Sequence, residues 1–173
     1  DIPLTLFPIP TDLPFAIPTV TPIAHYNVPF QAVIWSDVCD GSTWNGDFRT
    51  VPAGCAIVAP TTLDSNGIAD DFESRLAGVQ LSLMIGTCDS GASAEPFITT
   101  DGTGQAVGNI ILAAGTYCVL VDPAAGPNPA ALGIGQWRGA LGTRALTQIT
   151  IPYFDSTVVL KYPWQPEGAV VTP

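Results

Sequence analysis

The stretch Val79-Gln80-Leu81-Ser82-Leu83-Met84-Ile85 decides the fold class. Val79, Leu81, Leu83 and Ile85 fall on every second position, with Gln80, Ser82 and Met84 between them. That period belongs to a strand with one buried face, since a helix would space its apolar residues by three and four. Similar short runs occur at 30–38, 97–100, 106–112, 117–121, 145–151 and 157–162. In the run 117–121, Tyr117, Val119 and Val121 share one face and Cys118 and Leu120 take the other. Asp101-Gly102-Thr103-Gly104 is a turn that needs glycine at positive φ. Strands of this length, separated by turn residues, predict an all-β, Ig-like sandwich of about seven strands. A brief helical turn is expected only within residues 68–76, and the Ala/Gly/Pro-rich stretch 122–142 reads as a long loop.

Composition agrees. The 173 residues include 17 Gly and 17 Pro, which work against long helices. Charged residues are 12% and hydrophobic residues 47%, the reverse of a disordered acidic chain. With 5 Lys+Arg against 15 Asp+Glu, the net charge is −10, and there is no basic patch to neutralise phosphates, so no nucleic-acid partner is expected. No membrane span is expected either, because prolines or glycines break the long uncharged runs. Four cysteines at 39, 55, 88 and 118, without the C-x-x-C pairs of a zinc site, point to two disulfides in an oxidising, extracellular place. Three connectivities are open, of which Cys39–Cys55 with Cys88–Cys118 is the simplest. The first residue is Asp1, so export with a leader removed is expected.

The sharpest chemical signal is Asp64-Ser65-Asn66-Gly67-Ile68-Ala69-Asp70-Asp71-Phe72-Glu73. Oxygen donors at Asp64 and Asn66, a turn glycine, the Ile68 carbonyl, Asp70 and Glu73 follow the order of a calcium loop. Thr62 stands where the template has its first acid, and Asp37, at the end of the run 30–38, can supply it from across the Cys-bounded excursion 39–63. One structural Ca²⁺ on Asp37, Asp64, Asn66, Ile68, Asp70 and Glu73 is therefore expected. The plainer alternative is a solvated acidic turn with Arg75 as counter-charge.

These segments together resemble the B-type repeat domains of bacterial surface adhesins, the Cna-B/SdrD-B-like group. The resemblance runs through Ile34-Trp35-Ser36-Asp37, Asn66 to Glu73, Leu76 to Leu83, Thr99 to Gly104 and Leu112 to Val119, with Val158 to Tyr162 as the closing strand. It covers about half the chain continuously. It implies a prealbumin-like sandwich with calcium in the loop. Some relatives carry Lys–Asn isopeptide bonds, but Lys161, the one lysine, has no evident Asn partner, so none is expected.

Residues 1–29 form a proline-rich arm ahead of a sandwich spanning 30–165 and a tail at 166–173. Between residues 7 and 24 the prolines are Pro8, Pro10, Pro14, Pro18 and Pro22, all even. The odd positions carry Phe7, Ile9, Leu13, Phe15 and Ile17 among others and no proline. An extended arm thus offers one apolar face and one complete row of N–H donors, while its other edge is blocked. Its reach is about 55 Å over 17 residues at ~3.3 Å per residue. Phe7, Ile9, Leu13, Phe15 and Ile17 are expected to anchor it in a neighbouring subunit. A polyproline linker cut from a longer protein is the alternative.

No catalytic constellation stands out. His25, the one histidine, has no Ser, Cys or acid beside it and is expected to be a partly buried ring. Trp35, Trp44, Trp137 and Trp164 suit core and loop anchors better than a sugar-binding surface. The expected function is a structural subunit of a pilus-like extracellular filament, assembled head to tail with itself. A stalk or adhesion module of the cell surface that binds carbohydrate or another ligand is the alternative.

Overall fold

The computed structural model describes residues 23–39, 47, 49–59, 62–138, 143–152 and 157–167. The described residues form two packed four-stranded sheets and a small two-stranded ribbon, an all-β sandwich. The first sheet runs β6 (Gln105–Ala113), β1 (His25–Ser36), β10 (Val158–Pro166) and β8 (Gly135–Trp137). The second runs β5 (Ala94–Thr99), β4 (Gln80–Ile85), β7 (Gly115–Val121) and β9 (Ala145–Ile151). The ribbon is β2 (Cys55–Ala59) with β3 (Thr62–Ser65). All seven expected strands are present, and β2, β3 and β8 add to them.

Strand β1 starts at His25, five residues before the expected start at Phe30. Pro29 sits inside it without penalty for a geometric reason. Ile34 N–H donates to the Gly104 carbonyl at 3.1 Å, so even-numbered β1 residues bond toward β6 and odd ones toward β10. The missing N–H of Pro29 therefore faces the β10 side, where pairing begins only at Phe30↔Val158. β1 and β10 are parallel, so the two ends of the domain close the same sheet.

The main core takes alternate residues from both sheets, including Phe30, Ala32 and Ile34 of β1, Tyr117, Val119 and Val121 of β7, and Leu160, Tyr162 and Trp164 of β10. The expected face of the run 79–85 holds only at its start. Val79 and Leu81 are buried and Leu83 is half-buried, but Ile85 is exposed and Met84 is buried. On the outer face Met84 packs with Cys118 and Leu120 under Cys88 and Ala94.

Two disulfides join Cys39 to Cys55 and Cys88 to Cys118. The second ties the loop after β4 onto the outer face of β7, not into the space between the sheets. The first holds the ribbon, which has its own small core of Cys39 and Leu63 packed by Val51 and Cys55.

Two expectations for the connecting segments also fail. Residues 68–76 form turns and a bridge from Arg75 to Trp35 instead of a helical turn. The stretch 122–142 contains β8 and a short helix, α1 (Asn128–Leu132). Asn128, nearly fully buried, explains the helix: its Oδ1 accepts Gln80 N–H at 2.6 Å and its Nδ2 donates to the carbonyls of Gln80 and Asp122. No helix among the described residues is long and apolar enough to cross a membrane.

Candidate functional site

The end of β1 delivers Asp37. Its N–H donates to the Trp164 carbonyl at 2.7 Å, which fixes it at the margin of the first sheet. Its carboxylate is 0% exposed. It accepts the Ser65 hydroxyl at 2.9 Å and the Gly67 N–H at 3.2 Å. Ser65 is the last residue of β3, so this bond clamps the ribbon to the sheet. Gly67 has φ +72, and a Cβ there would lie 3.1 Å from Arg138 Nε, so glycine both makes the turn and leaves room for the guanidinium.

Arg138 follows β8, and its N–H donates to the Pro163 carbonyl at 3.1 Å. Trp137 points into the core, so Arg138 points the other way, toward the ribbon. Its Nη1 donates to Ser65 Oγ at 3.1 Å and lies 3.7 Å from Asp64 and 4.0 Å from Asp37. Gln165 of β10 completes the cluster: its Nε2 donates to Asp64 Oδ1 at 2.7 Å and to Ser65 Oγ at 2.6 Å. Gln136 in turn donates to Gln165 Oε1 at 3.3 Å. The Ser65 hydroxyl is thus the meeting point of β1, the ribbon, β8 and β10.

A second group lies beyond the turn. Glu73 is buried, with Oε1 accepting Val38 N–H and Oε2 accepting Asp70 N–H, both at 2.9 Å. Asn66 Oδ1 accepts Ile68 N–H at 2.7 Å and its Nδ2 donates to Asp70 at 2.8 Å. Burial pushes the Asp37 carboxyl above its ordinary range, helped by the Asp64 charge and opposed by the Ser65 and Gly67 hydrogen bonds and the Arg138 charge. Burial also raises Glu73, helped by the charges of Asp37 and Asp70 and opposed by its two backbone N–H bonds.

The structure therefore gathers Asp37, Asp64 and Gly67 around Arg138, and Asn66, Asp70 and Glu73 around the next turn. Ile68 is exposed on the turn between them. Every oxygen donor of the expected set suits a hard cation in kind. Among the described residues, however, no three Asp, Glu, His or Cys side chains come together as a metal-holding group. Arg138 already compensates the Asp37–Asp64 end. The counter-charge expected at Arg75 lies instead at Arg138, with Arg75 exposed.

Ser65, Arg138 and Gln165 escaped the sequence reading. The one available signal was scarcity: in a chain with 5 basic residues against 15 acids, any buried acid must share one of few cations. His25 is exposed at the start of β1, not partly buried. Trp35, Trp137 and Trp164 are buried, with indole N–H groups that have no partner, and present no sugar-stacking face. Trp44 and the assembly residues Phe7, Ile9, Leu13, Phe15 and Ile17 lie outside the described residues. Set against known proteins, the chain matches no family model and no curated protein sequence.

Proposed function

We propose that the protein is a structural subunit of an extracellular filament, polymerised head to tail by donating residues 7–23 to the next subunit. The observation that carries this reading is where the arm leaves the sandwich. It emerges from β1, a strand flanked by β6 and β10, and Ile23 at the exit is 70% exposed. The arm before it has an apolar odd row and a proline-blocked even row, which suits pairing on one edge only. A donor on one subunit and an acceptor on the next do not close on themselves, so the contact propagates into a fibre. The two disulfides suit an oxidising compartment.

Calcium belongs to the same reading as a structural ion. Asp37, Asp64, Asn66, the Ile68 carbonyl, Asp70 and Glu73 are the groups that would hold it, and it would neutralise acids that Arg138 compensates only in part. Arg138 competes with the ion at the Asp37–Asp64 end.

Negative-stain microscopy of the purified native protein tests the function. Long unbranched fibres are expected. Inserting one residue after Thr11 turns over the face beyond it and should abolish them. Monodisperse particles from the native protein would sink the proposal.

A further inference from the structure

We infer that the acceptor of the donated arm is the free edge of β6 with the gap beside it toward β5, and that its occupant is residues 7–23 of a second copy of this chain. The inference rests on the filament reading above and assigns the place of its joint.

Among the described residues, the four edges of the two four-stranded sheets differ in what they offer. β8 is three residues long. β5 contains Pro96, and its pairing with β4 shifts register after Leu81, both of which spoil an edge for further pairing. The gap beside β9 is lined by Arg138, Thr147, Lys161 and Tyr162 among others, and the Tyr162 hydroxyl donates to Thr147 Oγ1 at 3.0 Å, so it offers a polar wall to an apolar strand. β6 is nine residues long, without proline.

The direction of its free groups follows from register. Even-numbered β6 residues bond toward β1, so Val107, Asn109 and Ile111 turn their N–H and C=O outward. The open stretch is bounded at both ends. The Gln105 carbonyl accepts Asp101 N–H at 2.8 Å, and the Ala113 carbonyl accepts the Tyr117 hydroxyl at 3.0 Å. Val107 and Ile111 are 66% and 71% exposed, so the strand beside this edge is apolar on its outer face as well.

Inward of the same edge lies a gap of about 90 Å³ lined by Phe30, Phe97, Ile98, Gly108, Asn109 and Ile110. Gly108 faces inward without a side chain, and Phe97, Ile98 and Ile110 are only half-buried. A closed apolar cavity of roughly 150 Å³ accepts benzene. This smaller, open gap suits one aliphatic side chain, such as Ile9 or Leu13, from a strand paired parallel to β6, the orientation that sets its odd residues opposite Gly108 and Ile110. The arm supplies what the edge lacks: an unbroken odd row of N–H groups, apolar side chains on the same residues, and prolines that seal the new outer edge.

The occupant comes from a second copy because of how the chain leaves β1. His25 pairs with Ala113, at the far end of β6. To reach its own β6 edge the arm would have to reverse and cross the end of that strand at once. Residues 14–25 contain no Gly, Asn or Asp, the residues that supply the positive φ of a two-residue hairpin reversal.

The test uses the full-length chain carrying a photo-crosslinking phenylalanine at position 109, and separately at Gln148 of β9, in equal mixtures of ¹⁴N and ¹⁵N protein. Cross-links from position 109 to residues 7–23, joining the two isotopes, are expected, with none to the arm from position 148. Asn109→Pro removes an outward N–H and no bond to β1. It should retain both disulfides and a cooperative melt while lowering sedimentable polymer at least about tenfold. Fibres whose arm cross-links arise from position 148, or that persist in Asn109→Pro, would overturn the β6 assignment and leave the filament function standing. Cross-links found only within one isotope, with no mixed pairs, would place the arm on its own subunit and overturn the second copy. Monomers without fibres would overturn both.

Discussion

Replacing Asp37 tests whether the cluster at the sheet margin holds the ribbon in place. In Asp37→Ala the Gly67 N–H and the Ser65 hydroxyl proton lose their acceptor, and Arg138 loses one of its two carboxylates. Hydrogen bonds to a charged group contribute about 1.5–3 kcal/mol each, and removing one partner of a buried ionic network costs about 3–5 kcal/mol. The desolvation that raises the Asp37 carboxyl offsets part of this, because the variant no longer buries a charge. Arg138 and Asp64 are also partly exposed, at 24% and 27%, which weakens their share. The net loss should be about 2–4 kcal/mol, or roughly 1–2 M of urea. Asp37→Asn keeps one acceptor oxygen and no charge, so it should lose less than about 1.5 kcal/mol at neutral pH. The pH dependence has a definite sign. A carboxyl whose folded pKa lies above its unfolded value of about 3.9 binds its proton first in the folded state. The wild type should therefore gain stability as pH falls from neutral toward about 4, and Asp37→Asn should gain less, with Glu73 supplying the remainder. Urea unfolding followed by tryptophan fluorescence, with chelator present, reads all three proteins through the buried Trp35, Trp137 and Trp164. If Asp37→Ala lies within about 0.5 kcal/mol of wild type, or Asn is as damaging as Ala, the cluster does not hold the ribbon as argued.

Gly104→Ala should cost about 2–5 kcal/mol, because φ is +68 and the new Cβ would lie 2.5 Å from Arg75 Cβ and 2.8 Å from Leu76 N; thermal denaturation showing a loss below about 1 kcal/mol would contradict it. The double variant Cys88→Ser with Cys118→Ser should lose about 2–4 kcal/mol and loosen the loop over Met84, visible as faster proteolysis between β4 and β5; an unchanged urea midpoint would refute a stabilising role. Calcium should raise the melting temperature and chelator lower it, since free ion at a hundredfold its Kd adds about 2.7 kcal/mol. Arg138→Gln should tighten binding measured by calorimetry by removing the competing cation, and no heat of binding in either protein would end the calcium assignment.

Much of the sandwich is legible in the sequence because its signal is local. Alternation in 79–85, 106–112, 117–121 and 145–151 depends only on neighbours two residues apart, and the turn at 101–104 depends on its own glycines. The alternation of even prolines and odd apolar residues between positions 7 and 24 is equally local, and it lies outside the described residues. The sandwich boundaries, β8, α1 and the true burial of Met84 and Ile85 were not legible, because each depends on what packs against the segment. Pro29 enters β1 only because β10 begins one residue later, and α1 forms only because Asn128 bonds Gln80 across the fold. The candidate site divides the same way. Its acids are adjacent in sequence and announce themselves. Its cation and its amide come from Arg138 and Gln165, 73 and 100 residues beyond Ser65, and only the parallel closure of β10 on β1 with β8 beside it brings them there. Residue type and spacing express what a segment can bury or bind. Which distant side chain neutralises a buried charge is decided by topology, since the energy of that pairing depends on distances that exist only after the chain has folded.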